Sequence, residues 1–251
     1  MQSAAQQLSL FSDTEEPDLR SGISVRESAR ARRLSIKVYP RGKVEVVVPR
    51  RTCVRDVQAF VSKHRDWIQK SRQTFAKEHP PEAFKLPDWV DLAAIGKRFR
   101  VRYVRQDGAK NVRCQCRGDI IVLSGRTDDD SQCVAALKRW LSSTAKKEFA
   151  PRLRALSALT GNAYQKMQVR GQRSCWGSHS ATGTISINYC LLFLQPVLLR
   201  YLMIHELSHA RHMNHSRRFW NLVGQHEPGY RRLDKQLVEA WKQIPTWLGI
   251  Y

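Results

Sequence analysis

The sequence predicts an α+β protein: strand patterns fill its first half, helical patterns dominate its second, and no segment repeats another. With 251 residues, 42% hydrophobic and 26% charged, the chain is long enough to bury a sizeable core, and its composition is neither disordered nor collagen-like. Three regions are expected. Residues 1–19 form a disordered acidic tail, 20–88 a small basic region of β-hairpin plus helix, and 89–251 the main core, although 20–251 can also form one compact domain.

From Arg33 the pattern alternates. Leu34, Ile36 and Val38 lie on one side, Pro40-Arg41-Gly42 supplies a turn, and Val44, Val46 and Val48 return as the second strand of a hairpin. Val54, Val57, Phe60, Val61, Trp67 and Ile68 follow at helical spacing, and Pro80, Pro81 and Pro87 mark a connector. Strands are next expected at Phe99 to Val104, Val112 to Cys116 and Ile120 to Leu123, with Gly108 and Gly118 in the turns. Alternation also accounts for Cys114 and Cys116, which share one strand face rather than forming a metal-binding pair. A long helix is expected from about Ser131 to Leu159, stopped by Gly161. Short strands surround Gly177 and Gly183. Helices then run from Pro196 to about Met213, from Ser216 and from Tyr230.

Charge narrows the choice of partners. Lys and Arg number 43 against 22 Asp and Glu, a net +21 that attracts polyanions. Residues 1–19 hold no Lys or Arg, so this surplus lies wholly beyond them. Arg26, Arg30, Arg32, Arg33, Lys37, Arg41 and Lys43 are expected to track phosphates without regard to base sequence, with Trp67 or Trp89 for stacking. The plainer reading is a solvated basic face. The most apolar stretch, Cys190 to Ile204, is broken by Gln195, Pro196 and Arg200, so no membrane partner is expected. The N-terminus has no signal-peptide pattern and the six cysteines are scattered without a CxxC, which together predict reduced thiols and a cytoplasmic location.

The chemistry is carried by HELSH, residues 205–209. Positions i and i+4 stand one above the other on a helix, so His205 and His209 can share one metal ion. Glu206 can take the proton of a water that the metal has made more acidic. Leu198, Leu199, Leu202, Met203 and Ile204 give the motif an apolar helix to stand on. A hydrolytic zinc site needs a third protein ligand, for which His212 and His215 compete. On a continuing helix His212 would lie about 10 Å along the axis from His205. His215 follows Asn214, which tolerates the left-handed conformation that ends helices, so His215 is favoured and His212 is placed beside the site or on the surface. The same spacing occurs in metzincins, but His212 stands where they have glycine, and no methionine follows Met213 to supply their turn.

RSCWGSHSATGTISINYCLL, YLMIHELSHARHMNHSRRFW and PGY together resemble the YgjP-like metallopeptidases, relatives of the SprT and WLM zincins. The resemblance extends over most of residues 25–242 and is most specific at Trp176-Gly177-Ser178, HELSH, Asn214-His215-Ser216 and Phe219-Trp220. It implies a minimal zincin metallopeptidase core behind a small β-rich region, one Zn2+ on His205, His209 and His215, Glu206 as general base, and a protein or peptide substrate. The family often has cysteine where this chain has His179, so a role for that cysteine does not carry over. For the oxyanion donor, Tyr230, His226, Asn188 and Arg173 are the candidates.

Gln7-Leu8-Ser9-Leu10-Phe11 resembles the pentapeptide by which bacterial replication and repair proteins dock into the sliding clamp, with Leu10 and Phe11 as apolar anchors. The leading expectation is therefore a zinc metallopeptidase associated with DNA. Arginines around the motif (Arg170, Arg173, Arg211, Arg217, Arg218) keep open a zinc-dependent hydrolase of nucleotide phosphoanhydrides. A non-catalytic, zinc-stabilised DNA-binding module is the third reading.

Overall fold

A computed structural model describes residues 23–29, 31–38, 44–78, 84–173 and 175–249. The chain divides between Ala83 and Phe84 into two compact units. The clamp-like pentapeptide, Arg30, Arg41 and Lys43 lie outside the described residues.

The first unit holds a three-stranded sheet and two helices. β2 (Ser35–Val38) pairs antiparallel with β3 (Val44–Pro49), the hairpin expected from the alternation. The other edge of β3 takes a strand that the alternation does not announce, β1 (Ile23–Ser28), in parallel register. Helix formation resumes at α1 (Val54–Lys63) and α2 (Arg65–Glu78), which are separate elements meeting at His64. The His64 ring sits over the end of α1, its Nδ1 paired with the Phe60 carbonyl at 2.8 Å. Val46, Val48 and Val57 form a small core, with Ile23, Leu34, Ile36 and Val61 packed against it.

The second unit opens with a four-stranded sheet: β4 (Trp89–Leu92), β5 (Lys97–Arg105), β6 (Val112–Arg117) and β7 (Ile120–Gly125), in the order β4-β5-β7-β6. β5 and β7 run parallel, and the other pairs are antiparallel. One face carries Val90, Leu92, Phe99, Val101, Ile121 and Leu123, all buried. That face packs on α3 (Asp130–Thr160), where Trp140 meets Phe99 edge-on at 5.1 Å. α3 starts on Asp129, whose side chain accepts from the Gln132 amide at 3.1 Å, and stops at Gly161 in the left-handed conformation, φ +64°. Its buried positions, including Leu137, Leu141, Ala145, Phe149 and Leu153, recur every four residues and form one apolar stripe.

A second three-stranded sheet follows. β8 (Lys166–Arg170) pairs parallel with β10 (Thr184–Asn188), and β10 pairs antiparallel with β9 (Gly177–His179), which is an edge strand. The remaining helices are α4 (Pro196–Ser208), α5 (Arg217–His226) and α6 (Tyr230–Glu239). No helix among the described residues is long and apolar enough to cross a membrane.

Helix α4 ends earlier than the expected Met213. After Ser208 the backbone tightens, with His209, Ala210 and Arg211 amides bonded to the carbonyls three residues back at 3.1–3.3 Å. Asn214 is not left-handed either, since Arg51 has the only positive φ of a non-glycine residue among the described residues. The reversal after HELSH is made by this tightened turn.

Candidate metal and catalytic site

Helix α4 brings the first two histidines together because they are one turn apart on a helix buried almost throughout. Leu198, Leu199, Leu202, Met203, Ile204 and Leu207 are at most 4% exposed. The shortened helix then lets the chain fold back. His205, His209 and His215 each direct a ring nitrogen to one point, all within 4.8 Å of one another. The Nε2 atoms of His205 and His215 are 3.1 Å apart. Two imidazole nitrogens on one tetrahedral ion with bonds of about 2.0–2.1 Å lie roughly 3.3 Å apart, so the residues fit such an ion.

The tautomers suit a metal as well. His209 Nδ1 pairs with the carbonyl of His212 at 3.0 Å; that bond requires the proton on Nδ1 and leaves the Nε2 lone pair facing the cluster. His212 thus serves the site through its backbone, and its ring is not one of the three. Burial, reinforced by the neighbouring imidazoles, holds His205 neutral by lowering its pKa to about 3, and burial also pulls His209 below the usual imidazole range.

Aromatic rings wall the cluster. Phe219 is fully buried and stacks on His209 at 4.5 Å. Trp220 stacks on His215 at 5.6 Å, and Tyr230 stacks on Trp220 at 5.3 Å. These contacts fix ring planes that single bonds would otherwise leave free. Phe219 lies in the first turn of α5, four residues after His215, which precedes that helix.

Glu206 is 4% exposed, and its Oε2 has no hydrogen-bond partner. Burial alone pushes its carboxyl up to about 8. A cation held by the adjacent histidines would oppose that by favouring the carboxylate. The residue facing it is Gly177, where an added Cβ would come within 2.6 Å of Glu206 Oε1. Trp176 secures this approach: its Nε1 donates to the Leu237 carbonyl at 2.8 Å, and its ring stacks on Trp241 at 3.8 Å. His179, two residues on, pairs through Nδ1 with the Glu206 carbonyl. Gly177 and His179 bring edge strand β9 alongside the motif.

The other predicted residues are more scattered. Tyr230 reaches the site through Trp220, and Arg231 Nε donates to its hydroxyl at 3.3 Å. Both Asn188 Nδ2 hydrogens are engaged, by the carbonyls of Gln172 (2.7 Å) and Cys175 (3.0 Å), so it clamps the loop before Trp176 and has no donor left for an oxyanion. His226 is half-buried at the end of α5 and offers its carbonyl to Arg200 at 3.2 Å. Arg173 is exposed, and its charge is felt by Lys138 and Tyr189. In the first unit Arg26, Arg32, Arg33 and Lys37 are exposed, with Arg26 paired to Glu45 at 3.3 Å. Trp67 and Trp89 are 50% and 47% exposed.

A helix-borne HExxH pair, closed by a third histidine and backed by a buried glutamate, is the arrangement of a metal-dependent peptidase. The family model of the YgjP-like, metallopeptidase domain matches residues 32–240, and the chain belongs to that family. Among solved structures, the crystal structure of the metallopeptidase zymogen of Pyrococcus abyssi abylysin is 22% identical with a TM-score of 0.34, over 37% of this chain and 93% of that one. None of the curated proteins matches the chain.

Proposed function

We propose that the chain is a zinc-dependent peptidase in which Glu206 is the general base, and that it works on proteins at DNA. The observation that carries the catalytic part is the convergence of three imidazoles beside a buried, half-unpartnered glutamate. Neutral imidazole ligands suit zinc, which when bound supplies a Lewis acid that acidifies water and polarises a carbonyl. His205, His209 and His215 hold the ion, and Phe219 and Trp220 keep their rings aimed. Glu206 takes the proton from the attacking water and passes it to the leaving amine nitrogen. Gly177 leaves the room in which that carboxylate moves. Edge strand β9 offers an extended peptide a backbone to pair with beside the site.

Association with DNA is supported by the +21 net charge and by the exposed Arg26, Arg32, Arg33 and Lys37. The test is cleavage of a basic DNA-binding protein by the zinc-loaded chain, with and without single-stranded DNA, against Glu206→Ala. Zinc-dependent cleavage that the variant lacks, stimulated by DNA, is expected. Cleavage by a cleanly purified Glu206→Ala would end the mechanism, and cleavage indifferent to DNA would end the association. Release of phosphate from nucleoside triphosphates, lost in the same variant, would replace the peptide bond by a phosphoanhydride.

A further inference from the structure

The four-stranded sheet of the second unit has an open face that no function above has used. Strand β5 reads KRFRVRYVR, and its alternation sends Phe99 and Val101 toward α3 and Arg98, Arg100 and Arg102 the other way, all three exposed. Register extends this pattern across the sheet. Trp89 on β4 is opposite Arg100, Arg100 is opposite Ile120 on β7, and Ile120 is opposite Arg117 on β6, which makes one continuous row. Arg113 lies on the same face two rows along, opposite Ser124. Ile120 and Val122, half-buried, form an apolar strip between the arginines of β5 and those of β6.

Charge and shape on this face both suit a nucleic acid strand. Its five arginines face a single acid, Asp91, which pairs with Arg98 at 3.5 Å. Among the described residues no ion pair joins Arg100, Arg102, Arg113 or Arg117 to a carboxylate. Guanidinium groups exposed without carboxylates are donors suited to phosphate oxygens. Trp89 is 47% exposed, with the Arg98 guanidinium 4.7 Å from its ring centre and that of Arg100 at 5.9 Å. An exposed indole held among arginines has little use in a merely solvated basic face. A base, however, stacks on it while its phosphates meet the arginines. An acidic protein partner would satisfy the charges but leave the indole unused. A duplex hides the faces of its bases, so the fit is to a single strand.

We propose that this sheet face binds single-stranded DNA, with Trp89 stacking a base and Arg100, Arg102 and Arg117 contacting the backbone. The choice of DNA rests on the association proposed above, whereas the surface itself rests on the register and exposure of these residues. It lies on the side of the sheet turned away from α3.

The test uses the full chain and a fluorescein-labelled oligo-dT, read by anisotropy across a salt series. The variants are Trp89→Ala, Trp89→Phe, the pair Arg100→Glu with Arg102→Glu, and the hairpin pair Arg33→Glu with Lys37→Glu. Far-ultraviolet circular dichroism and melting confirm that each is folded. Trp89→Ala is expected to weaken binding about five- to a hundredfold, with most of the affinity kept by Trp89→Phe, which retains a π-face. The sheet charge reversal is expected to weaken binding further and to flatten the slope of log affinity against log salt by about 0.7 for each phosphate no longer neutralised. If wild type binds and the folded sheet variants bind equally well, the sheet face is refuted while DNA association stands. Failure of wild type to bind oligo-dT at low salt refutes both. Equal loss of binding to oligo-dT and to poly-glutamate in the charge reversal, with no effect of Trp89→Ala, makes the face a general anion surface and also overturns the proposal.

Discussion

Gly177→Ala tests how closely the catalytic geometry depends on one missing methyl group. The added Cβ would lie 2.6 Å from Glu206 Oε1 and 3.0 Å from its Cδ and Cγ. Ordinary contact needs about 3.4 Å or more, so the carboxylate must retreat by roughly 0.8 Å, or β9 must move outward by as much. Gly177 does not have a positive φ, so alanine brings no backbone strain and the effect is steric alone. Glu206 is 4% exposed and has little space into which to retreat. A misplacement approaching 1 Å costs on the order of 10²-fold in rate, and overpacking of this kind costs about 1–3 kcal/mol in stability. The three histidines are untouched, so metal content should remain at one ion per chain. The assay is kcat/KM on a quenched-fluorescence peptide beside metal stoichiometry and a melting curve. A variant that keeps its metal and turns over within twofold of wild type would refute the argument that Gly177 makes room for Glu206.

Other perturbations separate the roles within the site. Glu206→Gln should retain metal and lose about 10²–10⁴-fold in turnover, the usual worth of a positioned base; retained turnover would assign the proton elsewhere. His215→Ala should lose the metal by elemental analysis, whereas His212→Ala should keep it, because His212 contributes a carbonyl that any residue supplies. Phe219→Ala removes a fully buried ring and should cost about 3–5 kcal/mol in denaturant unfolding, with weaker metal retention, and a loss below about 1 kcal/mol would contradict its place in the wall. Asp129 is held down to about 2 by hydrogen bonds from Ser131 and Gln132, so its capping contribution is complete above the ordinary carboxylate pKa and disappears as pH falls toward 2. Asp129→Ala should therefore melt below wild type at pH 7, with the gap closing on acidification. A gap independent of pH would show that the charge is not what caps α3.

What was legible in the sequence was local. His205 and His209 share a helix turn, and the return of Val44, Val46 and Val48 after Leu34, Ile36 and Val38 is a hairpin pattern that needs no distant partner. Strands β1 and β8 were hidden for the opposite reason. Neither β1 nor β8 has a fully buried position, and each takes its partner from beyond an intervening strand. The end of α4 carried no glycine to mark it, because the reversal is achieved by tightening the turn after Ser208. Gly177 stood out in the family resemblance, but only the fold shows that Glu206 is what it accommodates. The arginine alternation of β5 was plain as a strand, yet only the register with β4 sets Trp89 beside it on one face.

All three proposed metal ligands lie within eleven consecutive residues, His205 to His215. Closing so short a loop costs an unfolded chain little entropy, so the denatured protein retains some affinity for the same ion. A ligand that binds both states stabilises the native one only by the difference. Metal removal should accordingly lower the melting point less than the native-state affinity alone would predict. The tertiary structure matters less for gathering the imidazoles than for what the unfolded segment cannot do: hold a glutamate out of water beside them.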